Sequence, residues 1–327
     1  MPALPLPTTD AGAGRQRRLD VRDILSRYGT LIALVLLIVV AAALSPRFLT
    51  PVNLMNVLRQ VAIVGVLGIG MTFVILTAGI DLSVGACLAL SAVLLAGTLE
   101  SSGSILLAIL AALAVGLMVG LANGIGVTFG RVQPFVMTLG MLGIARSFAF
   151  LYTGGEPIPV LDMRFLQLGI GYLWRIPIPT VIFFTILIVA ALVLRFTPFG
   201  RAVYAIGSNE EAARLSGIPV VRVKIAVYMI SGFTAAVGAI MYCSQFASAP
   251  AIAGEGYELD AIAAVVVGGT SLFGGQGGVI GTFLGAVIIG ILSNILNLTG
   301  VSPFAQPLAK GALIILAVWI VGRGHRA

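Results

Sequence analysis

Histidine is nearly missing from this 327-residue chain: the one copy, His325, stands two residues from the end. That excludes a Ser/His/Asp triad and any histidine-based metal centre. Cysteine is almost as scarce. Cys87 and Cys243 both sit in apolar runs, with no CxxC spacing and no neighbouring ligands, so they read as small core hydrophobes. Glycine is plentiful at 41 residues, yet no GxxxxGK[ST] phosphate loop occurs. The chain is therefore expected to carry no catalytic residue, no cofactor and no metal, and nucleotide-driven work would have to come from another subunit. Charge is the last scarcity, at 9% of residues against 59% hydrophobic, with a mean hydropathy of +1.11. No water-soluble fold has enough interior to hide that much apolar surface, so the chain belongs in a bilayer. The formal net charge of +7 then reflects Lys and Arg held on the cytoplasmic side rather than nucleic-acid binding.

A helix that crosses the hydrocarbon core needs about 20 mostly apolar residues. Windows of that kind fall at 30–45, 60–78, 82–99, 104–127, 134–151, 178–194, 224–246, 259–273, 279–297 and 304–321. They predict an all-α polytopic membrane protein of about ten transmembrane helices. The close pairs flanking Asp81 and Gly275 read either as turns or as helices interrupted within the membrane. Residues 1–29 form a polar tail with Arg15, Arg17, Arg18, Arg22 and Arg27. Although "AAALS" could pass for a cleavage site, this basic region is long for a signal peptide, and an uncleaved first helix is expected. With the N-terminus in the cytoplasm, thirteen of the nineteen basic residues fall inside and four outside, while Arg146 and Lys310 fall within windows. That bias sets both termini inside. The expected organisation is a cytoplasmic tail at 1–29, one transmembrane domain at 30–322 with a cytoplasmic loop at 195–223, and a cytoplasmic C-terminus at 323–327.

Within that loop the stretch "GSNEEAARLSGI", Gly207 to Ile218, is punctuated like a helix. Ser208 can accept from the Glu211 backbone N–H while the Glu211 side chain reaches back, a capping box. Glu210 and Glu211 in the first turn suit the helix dipole. Gly217 stands where a left-handed terminal residue is expected, and Pro219 prevents continuation. The spacing predicts a helix of about two turns from Asn209 to Ser216. Helices below roughly 12–15 residues are marginal alone in water, so this one must dock, on a partner or on its own protein's cytoplasmic face. Ala212 and Ala213 allow close approach; Glu210, Glu211 and Arg214 offer charges for orientation.

Polar groups inside apolar windows are the other signal. In "GIDLSVGA", Gly79 to Ala86, Asp81 or Ser83 can cap the helix that follows, either in a cytoplasmic turn or at a break inside the membrane facing a water-filled cavity. "GIDLSVG" can be laid on "GTSLFGG", Gly269 to Gly275, pairing Asp81 with Ser271 and pointing to an internal repeat. An unpaired cation near a span's centre costs about 2.5–3.5 kcal/mol, so Arg146 and Lys310 either snorkel or pair with Asp81, Glu258 or Asp260. Asn123, Asn294 and Asn297 can bond between helices or contact a solute. The candidates for a translocation path or gate are Asp81, Ser83, Asn123, Glu258, Asp260 and Asn294. These residues leave open an ion-gradient-driven secondary transporter of a small polar solute, with Asp81 as its coupling carboxylate, and a membrane scaffold or channel.

Four stretches in this order carry a resemblance: "GIDLSVGA", "GLANG" at Gly120 to Gly124, "FGRAVYAIGSNEEAARLSGIPVVRVK", and "GEGYELDAIAAVVVGGTSLFGGQGG" at Gly254 to Gly278. Together they closely resemble the ribose/xylose type of sugar permease in the branched-chain amino acid/ribose permease superfamily, from about Asn53 to Ile320. The resemblance implies a multi-pass subunit of the bacterial inner membrane, usually a homodimer, that imports a monosaccharide of the ribose, xylose, arabinose or galactose class by alternating access. It implies two partners, an ABC ATPase with two nucleotide-binding halves and a periplasmic or extracellular sugar-binding protein. On the same ground Ser208, Asn209, Glu210, Glu211, Ala212, Ala213, Arg214, Leu215 and Gly217 become the candidate ATPase-coupling residues, seated as a short helix in a groove on that ATPase.

Overall fold

Prolines and glycines set the helix boundaries in the computed structural model, which describes residues 21–302, 304–312 and 315. Helix α1 covers Val21–Leu44, and α2, Pro51–Leu76, starts on a proline, whose missing N–H costs nothing in the first turn. Helix α3, Val84–Ser102, stops at Gly103, which takes a left-handed φ of 63°. Ser104 then opens α4, Ile105–Thr128, by accepting from Leu107 N. Helix α5, Pro134–Thr153, runs from a proline to the left-handed Gly154. On the connection that follows lie strand β1, Ile158–Pro159, helix α6, Met163–Ile170, and strands β2, Tyr172–Leu173, and β3, Ile176–Pro177. Next come α7, Ile178–Phe196, α8, Pro198–Ser208, α9, Glu210–Leu215, and α10, Val220–Phe246. Strand β4, Ser248–Ala249, precedes α11, Tyr257–Val267, and α12, Val279–Leu298. Residues 306–312 are helical as well.

Among the described residues, α2, α3, α4, α5, α7, α10 and α12 are long and apolar enough to cross a membrane, and Gly29–Leu44 of α1 adds a shorter apolar stretch. The protein is an all-α polytopic membrane protein. Residues 313, 314 and 316–321 of the tenth window, the tail before residue 21, His325 and the segment 323–327 lie outside the described residues.

One expectation from the sequence changes, and two segments hold more helix than it predicted. The eighth window, 259–273, is not a span: α11 has 11 residues, about 16 Å at 1.5 Å per residue, against a core about 30 Å thick. The hydropathy window had run on into an apolar turn in which Gly269 and, just past the window, Gly274, Gly275 and Gly277 take positive φ, a conformation glycine adopts freely and a helix cannot contain. Helix α1 is already present at Val21, so the end of the segment 1–29 is helical and leads into the apolar stretch from Gly29. The loop 195–223 holds a second helix, α8, which presents Gly200, Val203 and Ile206 to the protein interior. The external connection also has structure, since β1 pairs antiparallel with β4 and β2 with β3.

Glycine sets how closely the central helices approach. Gly116, Gly120 and Gly124 of α4 face Gly232, Tyr228 and Ile225 of α10, and a β-carbon on Gly116 or Gly232 would collide with the other's carbonyl oxygen. This is the small-residue seam by which membrane helices gain packing without a hydrophobic driving force between them. Large apolar side chains such as Leu106, Met118, Phe148, Leu151 and Leu192 point outward and are exposed, as they would be against lipid.

Candidate functional site

Helix α9 is built by its own caps. Asn209 Oδ1 accepts from Ala212 N at 2.9 Å, so the cap residue is Asn209 and not Ser208, whose hydroxyl donates instead to the carbonyl of Tyr204 at 2.9 Å. The capping box therefore does not form. The Glu211 carboxylate turns the other way and accepts from Arg214 at 2.7 Å, while Glu210 pairs with Lys224 at the start of α10. Ser208 continues the i−4 bonding of α8, and Asn209, with extended backbone, makes the sharper corner. At the other end Gly217 has φ 82°, Gly217 N donates to Arg214 O and Ile218 N to Ala213 O, a left-handed stop of the expected kind. Ala213 is buried under the helix, while Glu210, Glu211, Ala212, Arg214 and Leu215 are exposed, Leu215 at 80%.

Two breaks in the membrane helices meet just behind α9. The chain turns at 77–83 between α2 and α3, and again at 268–278 between α11 and α12. Gly275 N donates to Leu76 O at 3.0 Å, joining the two breaks directly. Gly207, near the end of α8, packs against both Leu76 and Gly275, and Tyr204 Oη donates to Gly277 O at 2.9 Å. The breaks also share a local turn: Asp81 Oδ1 accepts from Ser83 N at 3.0 Å, and Ser271 Oγ accepts from Phe273 N at 3.2 Å. These are the same positions in the two aligned stretches.

The structure brings Asp81, Ser83 and Asn123 together. Asp81 is 2% exposed and accepts from the Ser83 hydroxyl at 2.6 Å and the Ser231 hydroxyl at 2.7 Å. Asn123 Nδ2 donates to Ser83 Oγ at 2.8 Å. The cluster ties the first break to α4 and α10, and Asp81 faces its hydrogen-bond donors rather than an open cavity. Thr138 Oγ1 of α5 donates to Ile80 O, fastening the same turn from a third helix.

Glu258 and Asp260 form a second cluster in the first turn of α11. The chain from Ala247 to Gly256 dips back into the bundle before this helix starts: Gly254 and Glu258 press on Gly85 near the start of α3. Gly97, about 18 Å farther along α3, abuts Tyr152 near the end of α5. Arg146 Nη1 donates to the carbonyls of Ala251 and Ala253, at 2.6 and 2.9 Å, pinning this dip from α5. Glu258 Oε2 is buried without a hydrogen bond, and Asp260 pairs with Lys310 at 2.7 Å. Of the two window cations, then, one is met by backbone carbonyls and one by a carboxylate.

Asn294 lies apart from both clusters. It exchanges two hydrogen bonds with Asn53, at 2.8 and 2.9 Å, bridging α12 to α2. Sequence reasoning missed Ser231, Asn53, Tyr204 and Gly207, all of which join elements distant in the chain. Only Gly207, lying beside the quoted helix, carried a local signal.

Residues 53–318 match the family described as branched-chain amino acid transport system / permease component. The chain is similar to the ribose import permease protein of Bacillus subtilis (strain 168), with 46% identity over 305 residues, 93% of this chain and 95% of that one. It is similar to the ribose import permease protein of Escherichia coli (strain K12), with 43% identity over 318 residues, 96% and 98% of the two chains. An L-arabinose ABC transporter permease protein of Azospirillum brasilense is 32% identical over 313 residues, 95% and 92% of the two chains. No solved structure gives a significant match.

Proposed function

The chain belongs to the family of branched-chain amino acid transport system permease components, and on that premise we propose that it is the membrane subunit through which an ATP-driven importer passes a pentose, ribose ahead of arabinose. The identity of 46% to a ribose permease against 32% to an arabinose permease supports that order. The seven helices able to cross a membrane suit a multi-pass protein of the inner membrane. ATP hydrolysis falls to a separate ATPase with two nucleotide-binding halves, and delivery of the sugar to a soluble binding protein outside. Two copies of the chain face each other around the path. The permease domain runs from 30 to 322, with the tail 1–29 and the segment 323–327 both cytoplasmic.

One observation carries the coupling role: an exposed, capped helix α9 stands directly beyond α8, whose Gly207 rests on both membrane breaks at once. In this reading Ser208 to Ala212, Arg214, Leu215 and Gly217 seat on the ATPase, while Ala213, expected on that face, instead packs α9 onto the permease itself. Closure of the ATPase on ATP moves α9, and α8 passes the displacement to Leu76 and Gly275. The turn held by Asp81, Ser83 and Asn123 and the half-helix bearing Glu258 and Asp260 then move relative to each other and change which side the path faces, while Asn294 and Asn53 hold α12 to α2. A half-helix that starts inside the bundle is a recurrent way to line a substrate path.

Reconstitution tests this. Liposomes containing the chain alone should take up no ribose; uptake should need the ATPase, ATP and the binding protein together. Uptake by the chain alone, driven by an imposed proton or sodium gradient, would replace this reading with a secondary transporter.

A further inference from the structure

An open cavity of about 740 Å³ lies where α7, α8 and the start of α12 meet. Its lining is of two kinds. Leu192, Phe196 and Ile280 belong to its apolar lining and are 51%, 64% and 67% exposed, the condition of side chains that meet acyl chains in a bilayer. Arg195, Arg201 and Tyr204 supply its polar side chains. Arg195 is in the last turn of the membrane helix α7 and Arg201 in the first turn of α8, so both cations stand at the level of the lipid headgroups, where Arg and Lys are held beside a membrane span. Among the described residues neither arginine belongs to an ion pair, and none of the residues lining the cavity is acidic. Arg195 instead lies over the Phe196 ring, 5.4 Å from its centroid. The bland reading of such arginines is retention on the cytoplasmic side alone, but that would leave unexplained why two of them share one cavity with an apolar wall.

We propose that this cavity binds an anionic phospholipid, its phosphate held by Arg195 and Arg201 and its acyl chains laid along Leu192, Phe196 and Ile280. Guanidinium groups match phosphate oxygens in pairs, with charge-assisted hydrogen bonds. A zwitterionic headgroup would bring its own cation beside two arginines, and free phosphate would leave the apolar wall in contact with water. The bound lipid would bridge α7 and α8 to the loop before α12, which Tyr204 already touches through Gly277. It would therefore steady the same junction that α8 makes with the two breaks. The inference does not depend on which sugar is carried or on the identity of the ATPase.

The test is native mass spectrometry of the full-length permease extracted from vesicles of phosphatidylglycerol mixed with phosphatidylcholine. Wild-type protein should retain phosphatidylglycerol in preference to phosphatidylcholine. The Arg195→Gln/Arg201→Gln variant should hold it roughly 30-fold more weakly, two interfacial arginines' worth of attraction. Arg222→Gln, which removes a cation from the first turn of α10 outside the cavity, should leave retention unchanged. Thermal unfolding in pure phosphatidylcholine should be the same for wild type and the double variant, which separates lipid loss from misfolding. Equal retention in the double variant, or equal loss in Arg222→Gln, would overturn the proposal. Displacement of the lipid by millimolar inorganic phosphate would reassign the cavity to a free anion. Loss of ATPase co-purification with lipid retention intact would make it part of the ATPase seat.

Discussion

The backbone of Gly207 rests so closely against the carbonyl oxygen of Leu76 that no β-carbon fits between them. One residue, near the end of α8, thereby touches the last residue of the membrane helix α2, and on its other flank it touches Gly275. Gly207→Ala should push α8 off this junction at about 1–3 kcal/mol, the usual cost of overpacking. Ribose uptake by the reconstituted transporter should fall sharply while the variant still co-purifies with its ATPase. Wild-type uptake from a folded G207A protein would remove the junction from the coupling route.

Substitutions on α9 should do the reverse. Glu211→Lys breaks the pair with Arg214 and places a cation in the helix's first turn, and Gly217→Val forces a β-branched residue into φ 82°, a strained position. Both should weaken ATPase association without reducing membrane insertion. Pull-down of the ATPase at wild-type yield with either variant would count against α9 as the seat.

Thiol accessibility reports on the first break. Because Asp81 is 2% exposed and faces Ser83 and Ser231, a cysteine placed there in a cysteine-free background should react slowly with membrane-impermeant maleimide from either side when no ATPase is present. Fast labelling from one face would show that this turn borders an aqueous cavity. Asp81→Ala should in addition cost about 1–3 kcal/mol of stability, since it leaves two buried hydroxyl donors without their acceptor.

The ion pair between Asp260 and Lys310 invites a comparison of single and double replacements. Removing one partner leaves a buried charge uncompensated, which is costly, whereas replacing both with apolar residues is often close to neutral. Lys310→Met should therefore lower the yield of folded protein more than Asp260→Leu/Lys310→Met. Detergent-solubilised size-exclusion profiles would show this; a double variant worse than both singles would mean that the pair supplies something beyond charge compensation.

Asn53 and Asn294 should be coupled in the same way, more weakly. Interhelical hydrogen bonds in membranes average about 0.6 kcal/mol by double-mutant cycles, with a maximum near 1.7 kcal/mol. Two such bonds between α2 and α12 should give a coupling energy at the upper part of that range in thermal unfolding of the N53A, N294A and double variants. Additive effects would show that the amides are satisfied elsewhere.

How much of this could be read from the sequence depended on the reach of the interaction. The stop of α9 at Gly217 was legible because it needs only adjacent residues: a glycine able to adopt φ 82° and a proline two positions on. The start was misassigned by one residue because Ser208 and Asn209 are both good caps, and the choice between them was made by Ser208 continuing α8. The long apolar helices were legible as windows of the right length. The half-helix α11 was not, because a hydropathy average does not distinguish an apolar helix from an apolar turn rich in glycine. Most hidden of all were the partners: Ser231 lies 150 residues from Asp81, and Asn294 lies 241 from Asn53. Composition shows that a polar group in the membrane needs a partner, without showing which one. The family motifs reached further than these local rules, and the stretch they covered, from Asn53 onward, begins where the family match begins.

The glycine seam between α4 and α10 has one more consequence. Two backbones in direct contact, each occupying the space a side chain would need on the other, have no yielding side chain between them, so rolling one helix over the other would bring bulkier neighbours into the seam and part it. Through the transport cycle these two helices are therefore expected to travel as a single body. Spectroscopic probes placed at exposed positions on α4 and α10 would therefore make a ruler of fixed length, against which the travel of α8, α11 and the re-entering segment before it can be measured.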